Sequence, residues 1–213
     1  MPELDRRQAK AGFVQNFTPL VPISTAATLG ATYPFRGAVR AEPDGRMPVV
    51  QMRDASSDCP LADSVPRLIN DNGKYDRYRL LPGDILLQAR GSRHPAVIVL
   101  QDEPAIAAPG LHVLRAKPDC VSASYLVWCL NHPRIQSQIA AAAQGTHAPF
   151  ISKQSLGDLR IPVPTKAVQH LIAETSLKRQ RARQIAAELE EARDALIDAA
   201  TWEAATDERP GSA

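Results

Sequence analysis

The chain has 213 residues, enough for one moderate globular domain and an appendage. Its 25 Lys and Arg against 23 Asp and Glu leave a formal net charge of +2, too mild to establish a polyanionic partner, because an electrostatic footprint depends on local clustering. No apolar stretch reaches the roughly eighteen residues of a membrane helix. The three cysteines (Cys59, Cys120, Cys129) are an odd number in a chain opening MPELDRRQ, with no charged start running into an apolar segment, so a soluble protein of the reducing cytoplasm is expected.

Residues 1–20 are polar and then mixed without a strong period, and are expected to form an N-terminal arm or the entry to the first strand. From Val21 to about Arg115, short apolar runs (PVVQM, YRLLPGDILLQARG, AVIVL, LHVLR) alternate with Pro, Gly, Asp and Asn, the pattern of strands in a mostly β body. Pro82-Gly83-Asp84 is the strongest turn signal, since Pro presets φ and Gly accepts a positive φ before the chain enters DILLQ. Asp54 to Gly73 is polar and reads as a long surface loop. Between Ser122 and Gln144 the period becomes helical: Tyr125, Leu126, Cys129 and Leu130, then Ile135, Ile139 and Ala142. Pro133 divides this stretch into two short helices, with Asn131 or His132 near the start of the second, and Gly145 is expected to end it. An extended IPVP segment follows.

From about Lys166 the sequence is free of Gly and Pro as far as Ala200. Every third and fourth residue gives Leu171, Thr175, Lys178, Ala182, Ile185, Leu189, Ala192, Leu196 and Ala199, apolar from Ala182 onward, the seam of a coiled coil. A basic block (Lys178, Arg179, Arg181, Arg183) precedes an acidic one (Glu188, Glu190, Glu191, Asp194). An antiparallel copy crossing between them sets unlike charges opposite each other, which favours a two-fold homodimer through Ala182, Ile185, Leu189, Ala192 and Leu196. A solvated face with pairs four residues apart is the plainer reading of the same charges. After Trp202 the tail is expected to be disordered. The expected organisation is thus an arm (1–20), an α/β body, β-rich with short helices (21–164), a long C-terminal coiled-coil helix (165–202) and a tail (203–213).

Catalytic signatures are missing from the sequence: no GxxxxGK[ST] loop, no GxGxxG after a strand, no HExxH and no GxSxG. An adenine methyltransferase would show an aromatic-flanked Asn-Pro-Pro, and that tripeptide does not occur. Cys129 and His132 have a ligand-like spacing, but zinc takes four ligands, and a free cysteine on an apolar helix face reads as core. His94 and His147 lie in turns without a nucleophile or carboxylate at a recognisable spacing, so no catalytic and no metal residues are assigned.

Cationic and amide side chains gather where loops meet strand ends: Gln51, Arg53, Lys74, Arg77, Arg79, Gln88, Arg90 and Arg93. Such side chains read duplex DNA, Arg pairing with guanine and Gln with adenine in the major groove, while Lys and Arg also hold phosphates. Tyr75 and Tyr78 interleave with the cations and can pack on sugar or base faces. The expected DNA-contacting set is Gln51, Arg53, Lys74, Tyr75, Arg77, Gln88, Arg90, Arg93 and His94.

The order Leu29-Gly30, Phe35-Arg36-Gly37, VVQMRD, LLPGDILLQARG, HVLR, YLVWCLNHP and GTHAPFISKQSLGDLRIPVP, followed by a coiled-coil helix, resembles the DNA specificity subunit of type I restriction-modification systems. That resemblance implies a target-recognition domain reading one half of a split site, with the helix as spacer. Family members usually carry two such domains and two helices; this chain carries one of each, which implies a half-size subunit that must pair. It also implies no bound cofactor and no catalysis in this chain. The implied partners are double-stranded DNA, an adenine-specific methyltransferase subunit using S-adenosylmethionine, and a restriction subunit using ATP and Mg. The alternatives are a stand-alone DNA-binding or phage-defence module, and an enzyme with an unrecognised site around Arg90, His94 and His147.

Overall fold

A computed structural model describes residues 18–37, 45, 47–55, 67–69, 73–100 and 102–206. The head is built on a four-stranded antiparallel sheet in the order β2 (Ala27–Gly30), β8 (Leu111–Ala116), β5 (Asp84–Gln88), β6 (Ala96–Ile98). Its central strand is the predicted DILLQ, and both faces of it are covered. Ile85 and Leu87 point into a core shared with the helices, while Leu86 points into a second core with Val97, Val113 and Val50. That is why the run is continuously apolar rather than alternating. Gly83 enters the strand at φ +88°, the left-handed backbone that the Pro-Gly pair anticipates.

On one sheet face lie α2 (Ala123–Asn131) and α3 (Pro133–Ala142), packing Tyr125, Leu126, Leu130, Ile135 and Ile139 against Ile85, Leu87 and Leu114. Ser122 caps α2 by accepting from Tyr125 N, and His132 caps α3, whose Pro133 occupies the first turn, where its missing N–H costs nothing. The predicted break between two helices is therefore present. Helix α3, however, ends at Ala142, and Gly145 sits beyond it in a turn closed by Gln144 and Phe150.

On the other face, β3 (Met47–Val50) pairs antiparallel with β4 (Arg67–Ile69) and parallel with β7 (Ile106–Ala107). The polar stretch from Asp54 to Gly73, expected as one long loop, starts at the last residue of a short 3-10 turn, Met52–Asp54, and contains the strand β4; residues 56–66, which include Cys59, lie outside those described. A short helix α4 (Lys153–Asp158), capped by Ser152, leads into β9 (Arg160–Pro162). Strand β9 pairs antiparallel with β1 (Leu20–Pro22), so Leu20, assigned by sequence to an arm, belongs to the head; residues 1–17 are outside those described. A single-turn helix α1 (Ile23–Ala26) connects β1 to β2.

The final helix, α5, runs unbroken from Lys166 to Thr206, 41 residues or about 60 Å. It continues four residues past the expected stop at Trp202; residues 207–213 of the expected tail are outside those described. Only its first turns meet the head. Ile172 packs on the main core and Gln169 is buried, whereas every residue from Arg181 to Thr206 is exposed. Among the described residues, eight of the eleven exposed large apolar side chains lie on this helix, including Ile185 (56 %), Leu189 (65 %) and Leu196 (70 %), so its outer half carries an uncovered apolar stripe.

Candidate nucleic-acid interface

The end of the sheet where β5 stops and β8 begins collects the first group of predicted residues. Gln88 closes β5, and its amide nitrogen donates to the carbonyls of Met52 and Ala55, both at 2.7 Å, which pulls the Met52–Asp54 turn against the strand end. Gly110 makes room for this: a Cβ there would stand 2.7 Å from Met52 Sδ. Gln51 begins the turn, its side chain accepting from the Asp54 backbone while Asp54 accepts from Gln51 N at 2.8 Å. Arg53 projects from the turn, with a loose ion pair to Asp54 at 3.7 Å. Two residues past Gln88, Arg90 is exposed, and its guanidinium lies over the Phe150 ring, 5.1 Å from the centroid. Arg93 is exposed in the next turn.

Beside them opens a cleft of about 260 Å³ lined by Thr32, Pro109, Gly110, His112, Phe150 and Lys153 among others. Lys153 reaches across to the carbonyl of Gly30. His112 is buried, and its Nε2–H donates to Ile151 O at 2.7 Å, leaving Nδ1 as a buried acceptor. Burial pushes its pKa below the usual histidine value, with Lys153 adding repulsion, so the ring is neutral. The cleft therefore has an aromatic and neutral lining with cations at its mouth.

From Thr32 in the cleft wall the chain continues into a second group. Tyr33, Phe35, Tyr75 and Tyr78 form edge-to-face and stacked pairs, with Tyr33 at 4.8 Å from both Phe35 and Tyr75 and 5.3 Å from Tyr78. Cations are pinned on this cluster: Lys74 Nζ lies 5.2 Å from the Tyr33 ring centre, and Arg77 lies 4.6 Å over Tyr78 and donates to its hydroxyl. A hydrogen bond with Tyr33 raises the Lys74 pKa, keeping it charged. Arg79 is held by Asp76 at 2.9 Å. Aromatic rings fix the directions of long cationic side chains and so reduce the entropy lost when those side chains meet an anion.

Three of the nine predicted contact residues have structural duties instead. His94 is fully buried; its Nδ1–H donates to Gln88 O at 2.8 Å and its backbone is bracketed by the Gln136 amide. It lies just before β6 with its side chain enclosed, and presents no open surface to a ligand. Tyr75 is a core ring of the aromatic cluster, 9 % exposed. The Gln88 amide nitrogen is committed to two carbonyls. Gln51, Arg53, Arg90 and Arg93 remain around one strand end, and Lys74 and Arg77 around the aromatic cluster. Sequence reading missed Tyr33, Phe35 and Phe150 as the rings that orient these cations, and Lys153 at the cleft. The signal available was aromatic residues beside cationic ones in Tyr33-Pro34-Phe35-Arg36 and in Phe150 to Lys153.

His147 is exposed beside Thr146, well removed in environment from the buried His94. Cys129 is buried and its thiol is pushed up to about 11, while His132 Nδ1 is used as the α3 cap. Among the described residues no cluster of three metal-ligating side chains occurs, and no helix is long and apolar enough to cross a membrane.

The chain is thus a β-rich head with a cation-rimmed cleft, continued by a rod that carries an uncovered apolar stripe. The sequence profile of the type I restriction modification DNA specificity domain matches residues 32–191, well over half of the chain, and the chain belongs to that family. The S subunit of the type I restriction-modification system from M. genitalium superposes with a TM-score of 0.57 at 20% identity, over 92% of this chain and 48% of that one. A chain from a structure of type I R-M complex assembly and conformational transition gives 0.58 at 18%, over 84% and 44%. The HsdS subunit from Thermoanaerobacter tengcongensis gives 0.54 at 18%, over 84% and 43%. The chain thus spans less than half the length of the solved subunits it matches. No curated protein matches the sequence.

Proposed function

We propose that this chain is a half-size specificity subunit that reads one half of a bipartite DNA site in the cytoplasm for an adenine-specific methyltransferase partner, and that two copies pair through α5. The supporting observation is the combination of one recognition head with one rod whose exposed apolar stripe runs through Ala182, Ile185, Leu189, Ala192 and Leu196. A single head reads one half-site, and a two-fold pair reads two inverted half-sites at a separation governed by the rods. On this reading Arg53, Arg90 and Arg93 face base edges and phosphates, and Lys74 and Arg77 hold the backbone. The chain itself binds no cofactor; S-adenosylmethionine belongs to the methyltransferase subunit, and ATP with Mg to a restriction subunit where one is present.

A tagged chain recovered from its own cells tests this directly. Recovery with an adenine methyltransferase subunit, together with methylation of an inverted-repeat site by the complex, is expected. Recovery alone, with a mass of one chain, contradicts both the partner and the pairing.

A further inference from the structure

The described hydrogen bonds between rod and head gather at the root of the rod. Gln169 is the one described residue of α5 that is buried, 1 % exposed, although glutamine is a residue that rarely stays inside without full hydrogen bonding. Its side chain makes three bonds that tie the link between β8 and α2 to the link between β9 and α5. Oε1 accepts from Ser122 N at 3.0 Å; Nε2 donates to Cys120 O at 3.1 Å and to Pro164 O at 2.9 Å. The amide has only one workable orientation, because the reverse would set its oxygen against two carbonyls and its nitrogen against a donor. Ser122 caps α2, Cys120 ends the segment leaving β8, and Pro164 is the last residue but one before α5. Beside it, Lys166 donates to Pro118 O and Ile172 packs on the main core. From Arg181 to Thr206 every residue of the rod is exposed.

We propose that Gln169 is a positioning residue: its amide locks the angle between rod and head, and through that angle sets the spacing of DNA half-sites that the paired protein accepts. The second half of this statement rests on the function proposed above; the first does not. The geometry gives the lever. Leu189, in the middle of the apolar stripe, lies twenty residues from Gln169, about 30 Å along the helix axis. A tilt of about 10° at the root therefore moves the head by about 5 Å relative to the paired segment, more than the roughly 3.4 Å rise of one base pair, and two-fold pairing doubles the error. A two-point attachment through Lys166 and Ile172 leaves rotation about the line joining them; the three bonds of Gln169 remove it.

The test measures distance between a probe on the exposed Leu100 of the head and one on the exposed Glu203 of the rod, by electron spin resonance on labelled full-length chain diluted with unlabelled chain. The parent should give one narrow distance. Gln169→Leu removes all three bonds, and Gln169→Glu sets a carboxylate against two carbonyls while keeping the acceptor for Ser122 N; each should broaden or shift the distribution with the circular dichroism of the head unchanged. A distribution as narrow and centred as the parent in a folded Gln169→Leu chain overturns the proposal. If neither variant folds, Gln169→Asn, which keeps the amide but draws it back by one methylene from Ser122 N and the Cys120 and Pro164 carbonyls, carries the test: its distribution should widen, and an unchanged one overturns the lock. In complex with methyltransferase, the Gln169 variants should methylate sites with spacers one base pair longer and shorter nearly as fast as the preferred one. Loss of distance order with no DNA recognition by any form would leave the lock standing and remove the function proposed above; intact recognition with an unrelaxed spacer preference would separate the angle from the spacing and overturn the second half.

Discussion

Leu189→Asp should separate the paired chains without disturbing the head. Leu189 is 65 % exposed in the single chain and belongs to none of the described core clusters, so the substitution has little to disrupt there. Burying the exposed part of a leucine contributes about 1–2 kcal/mol, and two-fold pairing counts it twice, about 2–4 kcal/mol in all. At about 1.4 kcal/mol per tenfold change, the dissociation constant of the pair should rise roughly 30- to 1,000-fold, and further because two carboxylates would lose water at the seam. Sedimentation equilibrium over a micromolar range reads this shift, with thermal melting of the head as the control. Leu100→Asp, an equally exposed leucine on the head, should leave the association unchanged. An association constant for Leu189→Asp within a factor of two of the parent would refute pairing through this stripe.

Arg90→Ala should relax discrimination at one position of the half-site by about tenfold, since a bidentate guanine contact contributes about 1–3 kcal/mol; methylation of a randomised site library, sequenced before and after, reads the change. Lys74→Ala should weaken binding to all sequences alike and reduce the slope of log affinity against log salt by about 1, measured by fluorescence anisotropy titrations at several ionic strengths. Gln88→Ala should act on stability rather than on target choice, because it strands the carbonyls of Met52 and Ala55; a loss of about 1–2 kcal/mol in urea unfolding with an unchanged methylation target is expected. For His112, burial holds the folded pKa below the unfolded value, so the unfolded chain binds the extra proton first: its stabilising contribution is complete above about pH 6.5 and declines as pH falls through that value toward the folded pKa. Urea titrations at several pH values should show this decline, and His112→Gln should flatten it.

The sheet was legible because its strands carry their own boundaries. DILLQ follows a Pro-Gly turn and is apolar at every interior position, as a strand covered on both faces must be. The rod was legible from the absence of Gly and Pro over a long window, and the two middle helices from Pro133. Strand β4 escaped because Arg67–Ile69 is three residues in a polar neighbourhood; it pairs with β3 and acquires its reason from Met47, which is distant in sequence. Site residues were the least legible. Residue type states what Gln88, Tyr75 and His94 are able to bind, while the strand period and the fold decide which side they face. Arg90 and Lys74 stood out by charge, but the rings that hold them, Phe150 and Tyr33, come from elsewhere in the chain.

Strands β1 and β9 hold the two ends of the head together. Leu20 pairs with Pro162 and Pro22 with Arg160, and the ribbon is extended by Val163 N donating to Pro19 O at 2.9 Å. The head therefore begins and finishes side by side, a few residues from the root of the rod. Everything between is a closed excursion of the chain. Exchanging that excursion for one of different surface, cut at Pro22 and Arg160, would preserve both ends in register and leave the rod attached as before. On the function proposed above, such an exchange would give the chain a new DNA target in a single event while the rod and its apolar stripe stay as they are.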